Sequence, residues 1–276
     1  MLVSNSSVVK LCLFLLGSGF ATTAFAVQGD FRLRLHEAKA EQFENADIAA
    51  EMRFGREVAA RILGKKTPVN NFALIEYINL VGNALALHSP RSELQFYFTV
   101  LDDDSINAYS APGGYIFITQ GAVLAAKDEA ELAAVLAHEI AHISQRHIVR
   151  ELNIHGVESS GLAGITRFLG ASGDTARAAV SQVVDKAMMI LFQSGYKIED
   201  ELEADHVATL LLAETGYDPL ALQRYLHRLG DTKDTNHTHP ASQKRFDSIN
   251  ELILEEGMSS RDFHTVEERF KSHVKP

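Results

Sequence analysis

Cysteine is almost missing from this sequence: Cys12 is the only one in 276 residues. An internal disulfide is therefore excluded, and in an oxidising compartment stability must come from an apolar core. Proline is sparse, with six residues, and no glutamine- or serine-rich tract is present, which argues against long disordered linkers. Basic charge is in deficit: 26 Lys and Arg stand against 36 Asp and Glu, a net charge of −10. Phosphate backbones are bound by a basic stripe, and none is visible, so no nucleic-acid partner is expected. No internal repeat is present, and the apolar run from Leu11 to Phe20 is too short to span a bilayer comfortably.

What remains is an ordinary globular composition, 46% hydrophobic and 22% charged, long enough for one large domain or two small ones. Residues 1–26 carry Lys10, that apolar run and an Ala24-Phe25-Ala26 end, the layout of a secretory signal peptide. Its removal would take Cys12 with it, and the context "VKLC" lacks the small residues that precede a lipidated cysteine. The mature chain, 27–276, is then expected to be a single domain without a transmembrane span, exported to a bacterial periplasm and soluble or peripherally membrane-associated.

Amphipathic helical patterns cover 31–63 and 70–87, the second carrying Phe72, Ile75, Ile78, Leu80, Val81 and Leu85. "LQFYFTVLD" (94–102) reads as a strand, and "NAYSAPGGYIFIT" (107–119) as an extended piece, a Pro-Gly-Gly turn and another strand. A long helix is expected from about 128 to 150, with Asp128 as N-cap and Glu131 completing a capping box. Five glycines among small residues make 156–175 a mobile loop or lid, and helices at 176–192, 198–215, 218–229 and 241–256 complete the core. The fold class is α+β, mostly helical, with a small sheet.

The long helix holds His138-Glu139-Ile140-Ala141-His142. Two histidines four apart sit about 40° apart around a helix axis, so both imidazoles can reach one tetrahedral zinc ion. Glu139, about 100° round from His138, can hold and deprotonate the metal's water without binding the metal itself. Leu132, Leu136, Ile140 and Ile143 form a separate stripe, so the histidine face reads as distinct from the core face. An isolated motif of this kind also arises incidentally; a third ligand elsewhere decides the matter.

"EDELEADH" (199–206) supplies it. On a helix, Glu201 and Asp205 share a face with Ala204, Ala208, Leu211 and Leu212, while Glu199, Glu203, His206 and Glu214 fall on the opposite, solvent-like side and Asp200 lies between. Carboxylates among apolar residues cost several kcal/mol unless paired or metal-bound. Glu201 is the natural third ligand, and Asp205 can accept the free ring N–H of a liganding histidine. His147 and His155 read as structural or surface residues, and His237 as a solvated loop residue.

"HEIAH" followed about sixty residues later by "ELEAD" resembles the zinc metallopeptidase family that includes the CAAX prenyl proteases, HtpX and the BepA-type β-barrel assembly-enhancing proteases. "NAYSAPGGYIFITQGAV" (107–123), "ETGYDPLAL" (214–222) and "THPASQKRF" (238–246) agree with it. Ile198 departs from the arginine many relatives carry there. The transmembrane helices of the integral-membrane relatives and the TPR array of the BepA type are expected to be absent. The resemblance implies a zincin-like fold with one zinc per chain, held by His138, His142 and Glu201, and Glu139 as catalytic base. It implies that Tyr115 to Thr119 is an edge strand beside the active-site helix, to which a peptide adds as a further strand. Asn107, Gly114, Tyr115, Ile116 and Phe117 are then candidate substrate contacts. His239, in its "THP" context, has two open roles: hydrogen-bond donor to the oxyanion, or a plug in the fourth zinc position. Arg245 either assists the oxyanion or pairs with an acid. The function implied is a zinc endopeptidase of the gluzincin type acting on unfolded or misassembled polypeptides, such as outer-membrane proteins or their assembly machinery. The alternative is a chaperone-like assembly factor with a latent or structural zinc site.

Overall fold

The computed structural model describes residues 45–155, 174–230, 238–239 and 241–275. The expected signal segment, residues 156–173 of the expected lid, and His237 lie outside the described residues. Ten helices are named here in chain order: α1 (Asn45–Leu63), α2 (Phe72–Ala86), α3 (Gln120–Ala125), α4 (Glu129–Ser144), α5 (His147–Glu151), α6 (Asp174–Met189), α7 (Ile198–Glu214), α8 (Ala221–Gly230), α9 (Gln243–Glu255) and α10 (Glu267–His273). Three strands, β1 (Tyr97–Leu101), β2 (Ala108–Ala111) and β3 (Tyr115–Thr119), form one sheet. The chain is thus α+β and mostly helical, and no described helix is long and apolar enough to cross a membrane.

The sheet works as a partition. Side chains alternate faces along a strand, so Phe98, Val100, Ala108, Ile116 and Ile118 enter the larger core with α2, α4, α7 and α9. Leu101, Tyr109, Ala111 and Phe117 point the other way, into a smaller core with α1, α5 and α6. Helix α1 can lie this close because of Gly55: a Cβ there would stand 1.7 Å from the carbonyl oxygen of Pro112. The apolar pattern of α2 overstates its buried face, since Phe72 is 86% and Leu80 61% exposed.

Strand order is β1-β3-β2, with β3 parallel to β1 and antiparallel to β2. This corrects the expectation that Tyr115–Thr119 is an edge. The main-chain groups of Tyr115, Ile116 and Phe117 are used by neighbours on both sides and cannot accept a further strand. Gly114 is likewise structural: its carbonyl accepts from Tyr97 N, and a Cβ on it would strike Gln95. Local sequence reveals the hairpin but not that β1 pairs on its far side. The edge nearer the motif helix is β2.

A second correction concerns the motif helix. Asp128 Oδ1 caps it by accepting from Glu131 N, while Glu131 Oε2 accepts from Lys127 N, one residue before the expected partner. The helix stops at Ser144 instead of running to 150, because Arg146 adopts a left-handed backbone (φ 56°) and α5 starts afresh at His147. The fully buried Glu51 of α1 holds this break: it accepts from Arg146 Nε at 2.9 Å and from Arg91 Nη2 at 3.1 Å. Every residue of α4 is buried, so the histidine face is not a separate solvent-facing stripe. Helix α7 covers it.

The far end of α4 is anchored too. Buried Glu129 accepts from Tyr77 Oη of α2 (2.8 Å), Tyr217 Oη (2.6 Å) and Arg269 Nε of α10 (2.6 Å). These donors outweigh burial, which by itself would raise its pKa, and hold the carboxyl below its usual range. The motif helix is therefore fixed at both ends.

Candidate metal centre

Helices α4 and α7 pack face to face and, with the 238–239 segment, bring four candidate ligand residues together: His138, His142, Glu201 and His239. His138 Nε2 and His142 Nε2 are 3.0 Å apart. Glu201 Oε2 lies 3.4 Å from the first and Oε1 lies 3.5 Å from the second. Ligand atoms bonded to a tetrahedral zinc at about 2.0–2.1 Å are separated by about 3.3 Å along each edge. The carboxylate meets the two imidazoles through different oxygens, so the three sequence-predicted ligands are gathered within reach of one ion, and the donor set of two imidazoles and a carboxylate suits zinc.

His239 joins the same cluster. Its Nδ1 is 3.3 Å from His138 Nε2 and 2.8 Å from Glu201 Oε1, and its Nε2 is 3.6 Å from Glu139 Oε1. Glu139 is buried beside the cluster, and its Oε2 has no hydrogen-bond partner among the described residues. Such an atom costs free energy unless water or substrate meets it.

The carboxylates are held from behind. Arg245, fully buried, donates from Nε and Nη2 to Asp205 (2.6 and 2.7 Å), and its Nη1 lies 2.9 Å from Glu201 Oε2. Of its two open roles, Arg245 thus takes the acid pairing. Asp205 Oδ1 in turn lies 3.0 Å from His138 Nδ1, off the line of a straight hydrogen bond. Burial alone would depress His138, but Asp205 and Glu201 overcome it and raise its pKa to about 9. His142, equally buried and beside the charged His138, is pushed well below the usual histidine value despite Glu201. Burial would raise Glu201, yet the charge of His239 and hydrogen bonds from His138 and His142 bring it well below the carboxylate range.

Three contacts were not legible in the sequence. His147, read only as a structural or surface residue, is buried with Nδ1 2.6 Å from His142 Nδ1. Glu203, read as solvated surface charge, accepts from His147 Nε2 (3.1 Å) and Arg150 Nη2 (2.8 Å), and these partners bring its pKa to about 2. Tyr196 stacks on His142 with ring centroids 3.9 Å apart. Glu199, His206 and His155 are exposed, as expected.

The edge strand β2 borders this cluster. Thr119 N donates to Asn107 O, and alternation then turns the main-chain groups of Ala108 and Ser110 away from β3, toward the outer side of the sheet. Asn107 Oδ1 accepts from Ala108 N (2.9 Å) and from Thr238 Oγ1 (3.2 Å), tying β2 to the residue before His239. Gly195 (φ 69°) admits the same loop, since a Cβ there would stand 2.4 Å from Thr238 O.

Residues 75–253 match the family model described as Peptidase family M48. The chain belongs to peptidase family M48. A β-barrel assembly-enhancing protease of Escherichia coli K12 is 27% identical over 240 residues, covering 80% of this chain and 48% of the relative. A Yersinia pestis protein of the same name is 30% identical over 190 residues, 67% of this chain and 38% of the relative. The mitochondrial metalloendopeptidase OMA1 of Schizosaccharomyces pombe is 28% identical over 186 residues, 65% of this chain and 53% of the relative. The chain spans about half, or less, of the length of these M48 relatives. M48 is a metallopeptidase family, which agrees with the donor set built by α4 and α7.

Proposed function

We propose that this M48 protein is an exported zinc metalloendopeptidase that hydrolyses peptide bonds of unfolded or misassembled polypeptides, in quality control of envelope and outer-membrane proteins. The observation that carries the reading is the gathering of His138, His142 and Glu201 within ligand distance, with the unpartnered Oε2 of Glu139 beside them. Zinc held there by His138, His142 and Glu201 would supply a Lewis acid for the scissile carbonyl and acidify a water. Glu139 is placed to take a proton from the attacking water and to return it to the leaving amine. The outward main chain of Ala108 and Ser110 on β2 offers an edge to which an extended segment adds, and main-chain pairing reads little sequence. The names of the bacterial relatives support a role near β-barrel assembly, and the signal-like first 26 residues support the periplasm.

His239 favours a second, compatible state. With its Nδ1 within the ligand cluster it stands where water must bind, so the resting site is latent and opens when the 238–239 segment moves. A chaperone-like protein with a permanently closed site is the rival. Purified mature protein is expected to hold about one zinc per chain, and Glu139→Gln is expected to keep the metal while lowering cleavage of an unfolded protein by about 10²–10⁴-fold. Equal, negligible cleavage by wild type and variant would favour the rival.

A further inference from the structure

The two histidines of the motif are held differently. His138 turns Nδ1 to a carboxylate, Asp205, whereas His142 turns Nδ1 to another imidazole, His147, at 2.6 Å. Two ring nitrogens that close share one proton, so one donates and the other accepts. To bind a metal through Nε2, His142 must be neutral with its proton on Nδ1, and His147 Nδ1 is then the acceptor. The His147 proton then sits on Nε2, which donates to Glu203 Oε2 at 3.1 Å, and Arg150 Nη2 steadies that carboxylate at 2.8 Å. Each step fixes the next, and the chain has one consistent direction.

Resting on the metal-centre reading, we propose that His147, oriented by Glu203, is a positioning residue for the metal: it locks His142 in the tautomer and ring orientation that present Nε2 to the site. The backbone supports this role. His147 reaches His142 only because Arg146 takes a left-handed conformation and restarts the helix, and buried Glu51 holds Arg146 there. His147 is 1% exposed and His142 2%, so water offers no ready substitute acceptor. Tyr196 stacked on His142 limits the tilt of the ring but cannot choose its tautomer.

The test uses the mature chain and measures zinc affinity by chelator competition and the visible spectrum of the cobalt-substituted protein, with melting of the metal-free forms recorded alongside. His147→Phe keeps a ring but removes the acceptor, and is expected to weaken zinc about 10–100-fold and to alter the cobalt spectrum. His147→Asn, whose Oδ1 falls near the former Nδ1, is expected to restore the spectrum and bring affinity within about threefold of wild type. Zinc affinity and cobalt spectrum unchanged in His147→Phe would overturn the proposal. Should that variant not fold, Glu203→Leu decides: an altered spectrum and weaker zinc support the chain of hydrogen bonds, and wild-type values refute it. A wild-type protein that bound no zinc would overturn the metal-centre reading itself, whereas equal zinc in wild type and His147→Phe would overturn only the role of His147.

Discussion

At the scale of single residues, two histidines of this chain differ by surroundings, not by type. His138 and His239 present ring nitrogens 3.3 Å apart to the same carboxylate, yet one is built into α4 and the other into a short segment. The helical one is fixed by its element; the other is held through Thr238, Asn107 and the close approach at Gly195. His239→Ala is therefore expected to open the site with the three-ligand cluster intact. Cleavage of an unfolded protein should rise, by a factor up to the inverse of the open fraction, at unchanged zinc content. A fall in cleavage with zinc retained would instead assign His239 to the oxyanion.

At the scale of elements, the site depends on how helices are docked. Gly55 lets α1 lie against the Pro-Gly-Gly turn, and a methyl group at that position meets main chain, which cannot rotate away. Gly55→Ala is expected to destabilise by about 2 kcal/mol or more, lowering Tm by roughly 4–8 °C for a domain of this size. At the other end, Glu129 joins α4 to α2 and α10. Its folded pKa lies below the ordinary value of 4.5, so its stabilisation is present above that value and fades as pH falls through the lower, folded one. Glu129→Gln should cost about 1–3 kcal/mol near pH 7, and the Tm gap between variant and wild type should narrow below pH 4.5. A gap that stayed constant into acid would show that the ionised form is not what matters.

At the scale of the whole molecule, the sheet divides the protein into two cores and leaves β2 as the border on the metal-centre side. A substrate that adds to β2 must be extended and must bring free main-chain groups to the N–H and C=O of Ser110 and the C=O of Ala108, whose N–H is held by Asn107. Unfolded proteins should therefore be cut and the same proteins in their native state should not. N-methylation of the peptide N–H that pairs with this edge should lower kcat/KM about 2–10-fold, the worth of one hydrogen bond. Insensitivity to N-methylation along the whole peptide would mean that substrate does not bind by strand addition.

The sequence by itself determined the mostly helical character, the hairpin at 107–119, and the grouping of His138, His142 and Glu201. Helical periodicity is local, and His138, His142, Glu201 and Asp205 lie on periodic faces whose polarity is readable one turn at a time. Only the tertiary structure decided which strand is the edge, because β1 joins β3 from outside the hairpin. Only it placed His147, because an unbroken helix turns residue 147 about 140° away from residue 142. The break at Arg146 is set by Glu51, ninety-five positions earlier in the chain. The acidic run divides by the same rule: Glu201 and Asp205 were readable from their apolar companions. Glu203 was not, because its partner reaches it through a backbone turn that no local pattern encodes.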